Sequence, residues 1–206
     1  MDHKEHWEII YTEKQPNQVS WTQETPSISL QMIQSTNLPT SAKIIDVGGG
    51  ESNLVDHLLL LGYNHLSVLD ISQNALNRCK LRLGESGKNI EWIVSDITLF
   101  QSEIKYDIWH DRAVFHFLTE PDTISKYKSN LINALNDNGQ FIIGTFSDLG
   151  PKKCSGLEIK QYTEKTLTDT FSPEFSPIEF QREDHHTPFG TVQNFVFGRF
   201  QKNNSV

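Results

Sequence analysis

The 206-residue chain lacks the features that mark several kinds of protein. It has two cysteines, Cys79 and Cys154, too few for a disulfide framework and not spaced as metal ligands. Basic residues are outnumbered, 18 Lys and Arg against 26 Asp and Glu, for a net charge of −8. Lys152-Lys153 is their densest pair, so no basic patch points to a nucleic-acid partner. No apolar run approaches a membrane span, and the opening Met1-Asp2-His3-Lys4-Glu5-His6 is too polar for a signal peptide. The cytoplasm is the expected compartment. No Gly-Lys-Ser/Thr closes a phosphate loop, and a dinucleotide fingerprint would need a small residue where Asn53 stands.

What is present centres on Ile44-Ile45-Asp46-Val47-Gly48-Gly49-Gly50-Glu51-Ser52. The β-branched residues suit a strand buried on both faces, and the glycines allow a tight turn close to a ligand. Asn53 to Leu61 opens a helix whose amino end can face that ligand. A second strand, His65 to Ile71, carries Asp70 about 20 residues past the glycines, the spacing at which a carboxylate meets a ribose. Strand, glycine turn, helix, strand and acid make a nucleoside-binding unit. The missing phosphate signatures favour a nucleoside without phosphates.

Asp46-Val47-Gly48-Gly49-Gly50 with Asp70 resembles motif I and the acidic loop of class I S-adenosylmethionine-dependent methyltransferases, most closely their small bacterial members. The resemblance implies that Asp46 and the backbone of Gly48, Gly49 and Gly50 hold the methionine part of the cofactor. It gives the ribose to Asp70, with Ile71 among the contacts, and puts Ser52 where many members carry a third glycine. After a third strand, 90–94, it assigns the adenine amino group to Asp96 and the ring to Ile97. After a fourth, 106–110, it sets Asp111 and Arg112 beside the transferable methyl group. His116, one helical turn on, is either a reacting group or a satisfied core histidine.

Ahead of this unit, residues 1–37 read as a helical cap on a core of 42–206. The cap has helices over 3–13 and from Pro26, broken by Gln15-Pro16-Asn17. Trp7 is expected to pack, whereas Trp21 is the cofactor contact, as in small bacterial methyltransferases whose opening this segment resembles. Helices follow at 74–83, which makes Cys79 a core thiol, and at 125–136. Asp137-Asn138-Gly139 turns into a fifth strand at 140–146. The loop 147–157 carries Cys154, read as a loop residue and not a nucleophile. The tail, 178–182 and 192–200, fits a hairpin through Asp184 to Thr191. Its His-x-Thr-Pro pattern, His185 to Pro188, again resembles the family and makes His185 the candidate general base beside Asp111 and His116.

The expected fold is a three-layer Rossmann-like α/β sandwich, a seven-stranded mostly parallel sheet of order 3-2-1-4-5-7-6 with an antiparallel terminal strand. The expected function is methyl transfer from S-adenosyl-L-methionine, leaving S-adenosyl-L-homocysteine, to a small molecule. A protein lysine is the alternative acceptor, and a nicotinamide oxidoreductase the third reading, opposed by Asn53 and the terminal hairpin. In-line displacement from a sulfonium needs alignment and exclusion of water more than a catalytic triad or a metal, and neither is visible. A monomer or dimer is expected.

Overall fold

The computed structural model describes residues 3–204. Seven strands form one sheet: β1 (Lys43–Val47), β2 (His65–Asp70), β3 (Glu91–Val94), β4 (Tyr106–Arg112), β5 (Leu135–Phe146), β8 (Phe175–His186) and β9 (Val192–Lys202). A separate hairpin joins β6 (Lys153–Cys154) to β7 (Leu157–Glu158). The sheet order is β3-β2-β1-β4-β5-β9-β8. It matches the expected order once the inserted hairpin raises the last two numbers. The first five strands pair in parallel, and β9 runs antiparallel between β5 and β8.

Helices cover both faces: α1 (His3–Glu13), α2 (Ser27–Gln34), α3 (Leu54–Leu60), α4 (Gln73–Leu83), α5 (Pro121–Ala134) and α6 (Glu164–Phe171). Strand alternation sends Ile44, Val68, Ile108 and Ile142 into one apolar layer with Met32, Leu58 and Leu76 of α2, α3 and α4. It sends Ile45, Trp109, Phe141 and Ile143 into the other, with Tyr127 and Leu131 of α5 and Leu167 and Phe171 of α6. Each such side chain withdrawn from water stabilises the fold by roughly 1.5–3 kcal/mol. Cys79 is buried in the first layer. So is α2, which makes the later part of the expected cap a wall of the core.

Several boundaries depart from expectation. Helix α5 begins at Pro121, because proline suits a first helical position whose N–H has no intrahelical partner. The expected turn at Asp137-Asn138-Gly139 lies within β5, as an irregularity where pairing with β4 shifts between Tyr106 and Ile108. Helix α6 falls in a stretch given no element from sequence; Thr163 caps it, accepting from the Thr166 amide. Strand β8 is far longer than 178–182 and takes in His185 and His186, placed in the connecting loop from sequence. Among the described residues no helix is long and apolar enough to cross a membrane.

Candidate active site

Two adjoining cavities open at the carboxyl ends of the parallel strands, where ligands bind in open α/β sheets. The larger, about 310 Å³, is walled by Asp70, Ile71, Asp96, Ile97, Trp7, Phe117 and Cys154. The smaller, about 170 Å³, is walled by Asp46, Gly49, Ser52, Asn53, Ser29 and His110. Both share Tyr11, Trp21, Gly48, Arg112 and Ala113.

The glycine turn is as bare as the ligand requires. Gly48 has φ +66°, and a Cβ there would lie 1.9 Å from a methyl of Val114. No residue with a side chain fits. A Cβ on Gly50 would approach Asp70 Oδ2 to 2.8 Å and the Tyr11 hydroxyl to 3.0 Å. Asp70 closes β2, and its Oδ1 accepts from the Ser72 amide at 2.8 Å. Burial, with Asp46 and Glu8 adding repulsion, pushes its carboxyl up to about 7. Asp96 turns the chain after β3, its Oδ1 accepting from the amide and hydroxyl of Thr98.

Helix α1 roofs the larger cavity and is held at Glu8, at His6 and at Thr12, whose hydroxyl accepts from the Asn74 side-chain amide at 2.8 Å. Glu8 sits on the amino end of α4, accepting from the amides of Gln73 (2.8 Å) and Asn74 (3.2 Å) and from the Ser72 hydroxyl (2.9 Å). His6 meets the Ser155 hydroxyl of the β6–β7 turn at 3.3 Å. Beneath, Trp7 stands edge-on to Trp21 and Phe117, with ring centres 5.5 and 5.2 Å apart. Arg112 Nη1 donates to the Trp21 carbonyl at 2.9 Å, and the guanidinium lies over Phe195. Its Nε and Nη2 are buried without a partner, and burial lowers its pKa to about 10, so it stays charged at neutral pH.

Trp21, Asp46, Gly48, Gly49, Ser52, Asp70, Ile71, Asp96, Ile97 and Arg112 therefore line the cavities as the resemblance implies, with Gly50 in the turn between them. The three candidate reacting groups do not. Asp111 follows the opposite parity to Arg112 in β4. Its Oδ2 accepts from the Tyr127 hydroxyl of α5 at 2.7 Å, and its Oδ1 from the amides of Val114 and Phe115. Wholly buried, it is raised to about 6. His116 stacks on Phe146, its Nδ1 accepts from the Phe146 amide, and burial drives its pKa down to about 3. It lies in the core and lines neither cavity, but its Nε2 is buried without a partner, so it is not the fully satisfied histidine of the second reading. His185 lies on the expected edge, yet its Nε2 donates to the Ser20 carbonyl at 2.7 Å and it lines neither cavity. Buried beside Arg112, it has a lowered pKa.

Two further residues stand elsewhere than expected. Trp7, read as packing, walls the larger cavity. Cys154, read as a loop residue, is a buried strand residue on the same wall, with a thiol pushed up to about 12 and thus protonated at neutral pH. Tyr11, Ser29, His110 and Phe117 went unremarked as site residues. Tyr11 alone had a readable signal, one turn past Trp7 on the same helix face. Among the described residues no cluster is placed to hold a metal.

The bare turn, the acid closing β2 and a second acid just after β3 fit an adenosine bearing an amino-acid tail. With the fold they define an S-adenosylmethionine-dependent methyltransferase of class I. The chain belongs to the family described as Nodulation protein S (NodS), whose model matches residues 15–155. It is similar to a zebrafish (Danio rerio) EEF1A lysine methyltransferase 2, 26% identical over 210 residues, covering 95% of this chain and 80% of the relative. Among solved structures, the N-methyltransferase NodS of Bradyrhizobium japonicum WM9 with S-adenosyl-L-homocysteine superposes with a TM-score of 0.72 at 14% identity, covering 98% of this chain and all of that one. The 1,6-didemethyltoxoflavin-N1-methyltransferase of Burkholderia thailandensis, with bound 1,6-didemethyltoxoflavin and S-adenosylhomocysteine, gives 0.70 at 18% identity, covering 95% and 81%.

Proposed function

We propose that the chain methylates a small molecule held against the aromatic roof of the larger cavity. One observation carries this reading: α1 is fixed at both Glu8 and His6, so Trp7, Trp21 and Phe117 close over the space beside the cofactor. A roofed, largely apolar cavity suits a compact, partly planar acceptor and limits the water that reaches the reacting centre. NodS and the toxoflavin enzyme, both named as N-methyltransferases, agree with it.

Bound S-adenosylmethionine supplies a methyl group already activated by its sulfonium. Asp70 would accept from the ribose hydroxyls, Asp96 from the adenine amino group, and Ile97 would pack on the ring. Asp46 and Arg112, of opposite charge on the smaller cavity, suit the ammonium and carboxylate of the amino-acid tail. His185 of β8 lines neither cavity, and the Cys154 thiol on the larger one is protonated at neutral pH, so an acceptor that is nucleophilic once desolvated suits these walls.

A protein lysine is the second reading, favoured by the zebrafish relative and by the net charge of −8, which suits a basic partner. Incubation with S-adenosylmethionine carrying a labelled methyl group decides between them. Label on small molecules from a metabolite extract supports the first reading, and label on protein alone overturns it.

A further inference from the structure

Strands β1 and β4 pair so that Asp46 and His110 lie side by side, and strand alternation turns both toward α2. There they form a line with a third polar group. Asp46 Oδ1 accepts from His110 Nδ1 at 2.7 Å, and His110 Nε2 stands 2.8 Å from the hydroxyl of Ser29 in the first turn of α2. Their exposures are 5%, 2% and 1%, in a layer otherwise filled by Ile44, Ile108 and Ile142. Apolar side chains would cost less there, because each buried polar group must be matched. A carboxylate can only accept, so Nδ1 carries a proton toward Asp46, and Nε2 pairs with the Ser29 hydroxyl, which can donate or accept.

The line ends on the smaller cavity, which Ser29, His110 and Asp46 all wall. With Oδ1 occupied, the other oxygen of Asp46 lies against the glycine turn: a Cβ on Gly49 would stand 2.6 Å from Oδ2. Other charges on the wall are committed. Glu51 pairs with Arg78, and Arg82 pairs with Asp56. Asp46 and Arg112 remain, a carboxylate and a guanidinium on one small cavity, which is the complement of an α-amino-acid zwitterion.

We propose that His110, seated by Ser29, is a positioning residue for the amino-acid end of the cofactor: it satisfies Asp46 Oδ1 and fixes the carboxylate so that Oδ2 receives the cofactor's ammonium. The inference rests on the cofactor assignment above. His110 does not touch the reacting atoms. It acts through Asp46, and through Ser29 it ties that acid to the helix directly after the segment bearing Trp21. Loss of the Nδ1 donor would leave Oδ1 buried and unmatched and free the carboxylate to turn away from the ligand.

Two ligands separate this role from a structural one. S-adenosylhomocysteine carries the amino-acid end, and 5′-methylthioadenosine shares its adenosine and sulfur but lacks that end. In His110→Gln the amide reaches toward Ser29 and leaves Asp46 Oδ1 without a donor; in His110→Asn the amide nitrogen falls near Nδ1 and can still donate. Calorimetry should show S-adenosylhomocysteine weakened at least about 10-fold in H110Q, with 5′-methylthioadenosine within about 3-fold, and H110N holding both within about 3-fold of wild type. Equal loss of both ligands in H110Q, no loss of either, or H110N behaving like H110Q overturns the proposal. If the wild type binds neither ligand, the cofactor reading itself fails. The intact protein gives a check free of folding effects: S-adenosylhomocysteine should shift the His110 Nδ1 proton in the NMR spectrum while 5′-methylthioadenosine leaves it in place. An unmoved resonance with S-adenosylhomocysteine bound overturns the proposal.

Discussion

Asp111 and Arg112 are consecutive residues of β4 whose side chains leave opposite faces of the sheet. The carboxylate meets the Tyr127 hydroxyl of α5, and the guanidinium holds the Trp21 carbonyl over the cavities. Asp111 thus braces the turn after β4, and its loss should register in stability. Asp111→Ala should lower unfolding free energy by about 2–4 kcal/mol, since it strands the Tyr127 hydroxyl and two amides. Cofactor affinity should stay within about 3-fold at a temperature where the variant is folded, as calorimetry would report. A large loss of affinity without loss of stability would return Asp111 to the site.

On the ribose role proposed for Asp70, cofactor binding should depend on pH. The Asp70 carboxyl, raised to about 7 by burial and by the nearby Asp46 and Glu8, must be ionised to accept both ribose hydroxyls. Below pH 7 a proton has to leave on binding, so the S-adenosylhomocysteine dissociation constant should rise toward tenfold per pH unit. Asp70→Asn should bind about 1–3 kcal/mol more weakly at pH 8 and lose most of that pH dependence. A flat profile in the wild type contradicts the assignment.

The roof has one anchor that can be cut without touching the ligand. Glu8→Ala removes the acceptor for two amides of α4 and the Ser72 hydroxyl, at a cost of about 1 kcal/mol as for other helix caps. It should also raise the cofactor dissociation constant several-fold, because the middle of α1 then loses its tie to α4, leaving His6 at one end and Thr12 at the other. Trp21→Ala should raise it further, by about 10-fold, through lost aromatic contact with Trp7 and Tyr11, the carbonyl that accepts from Arg112 being kept. Unchanged affinity in both variants would make the cap purely structural.

His185 supports this roof from below, its ring donating to the Ser20 carbonyl. His185→Ala should loosen the segment carrying Trp21, raising the apparent KM for cofactor with kcat changed less than about 3-fold. The general base expected from sequence would give the opposite split, and steady-state kinetics in both substrates distinguishes the two.

His116 ties stability to acid. Its folded pKa is near 3 against an ordinary 6.5, so below pH 6.5 the unfolded chain takes up a proton that the native ring refuses. Stability should therefore fall as pH drops from 6.5 toward 3. In His116→Gln that part of the slope should vanish, which urea titrations at pH 7 and pH 5 would measure.

The sequence by itself determined the order of the βα units, the glycine turn and the acids on the cavity walls. Each of those signals is local: a β-branched run, a turn that tolerates no Cβ, an acid at the end of a strand. The strand boundaries that failed were set by pairing, as where β9 holds β8 in register as far as His186. Only tertiary structure decided which polar residues face the cavities. Asp111 and Arg112 look equivalent in the chain, and the pleat separates them. His110 sits one residue before Asp111 without any signal of its own. It becomes part of the site because β1 sets Asp46 beside it and α2 brings Ser29 over it, from 64 and 81 residues away. Contacts across such separations leave no periodicity to read; they exist only once the sheet has formed and the first helical layer has closed on it.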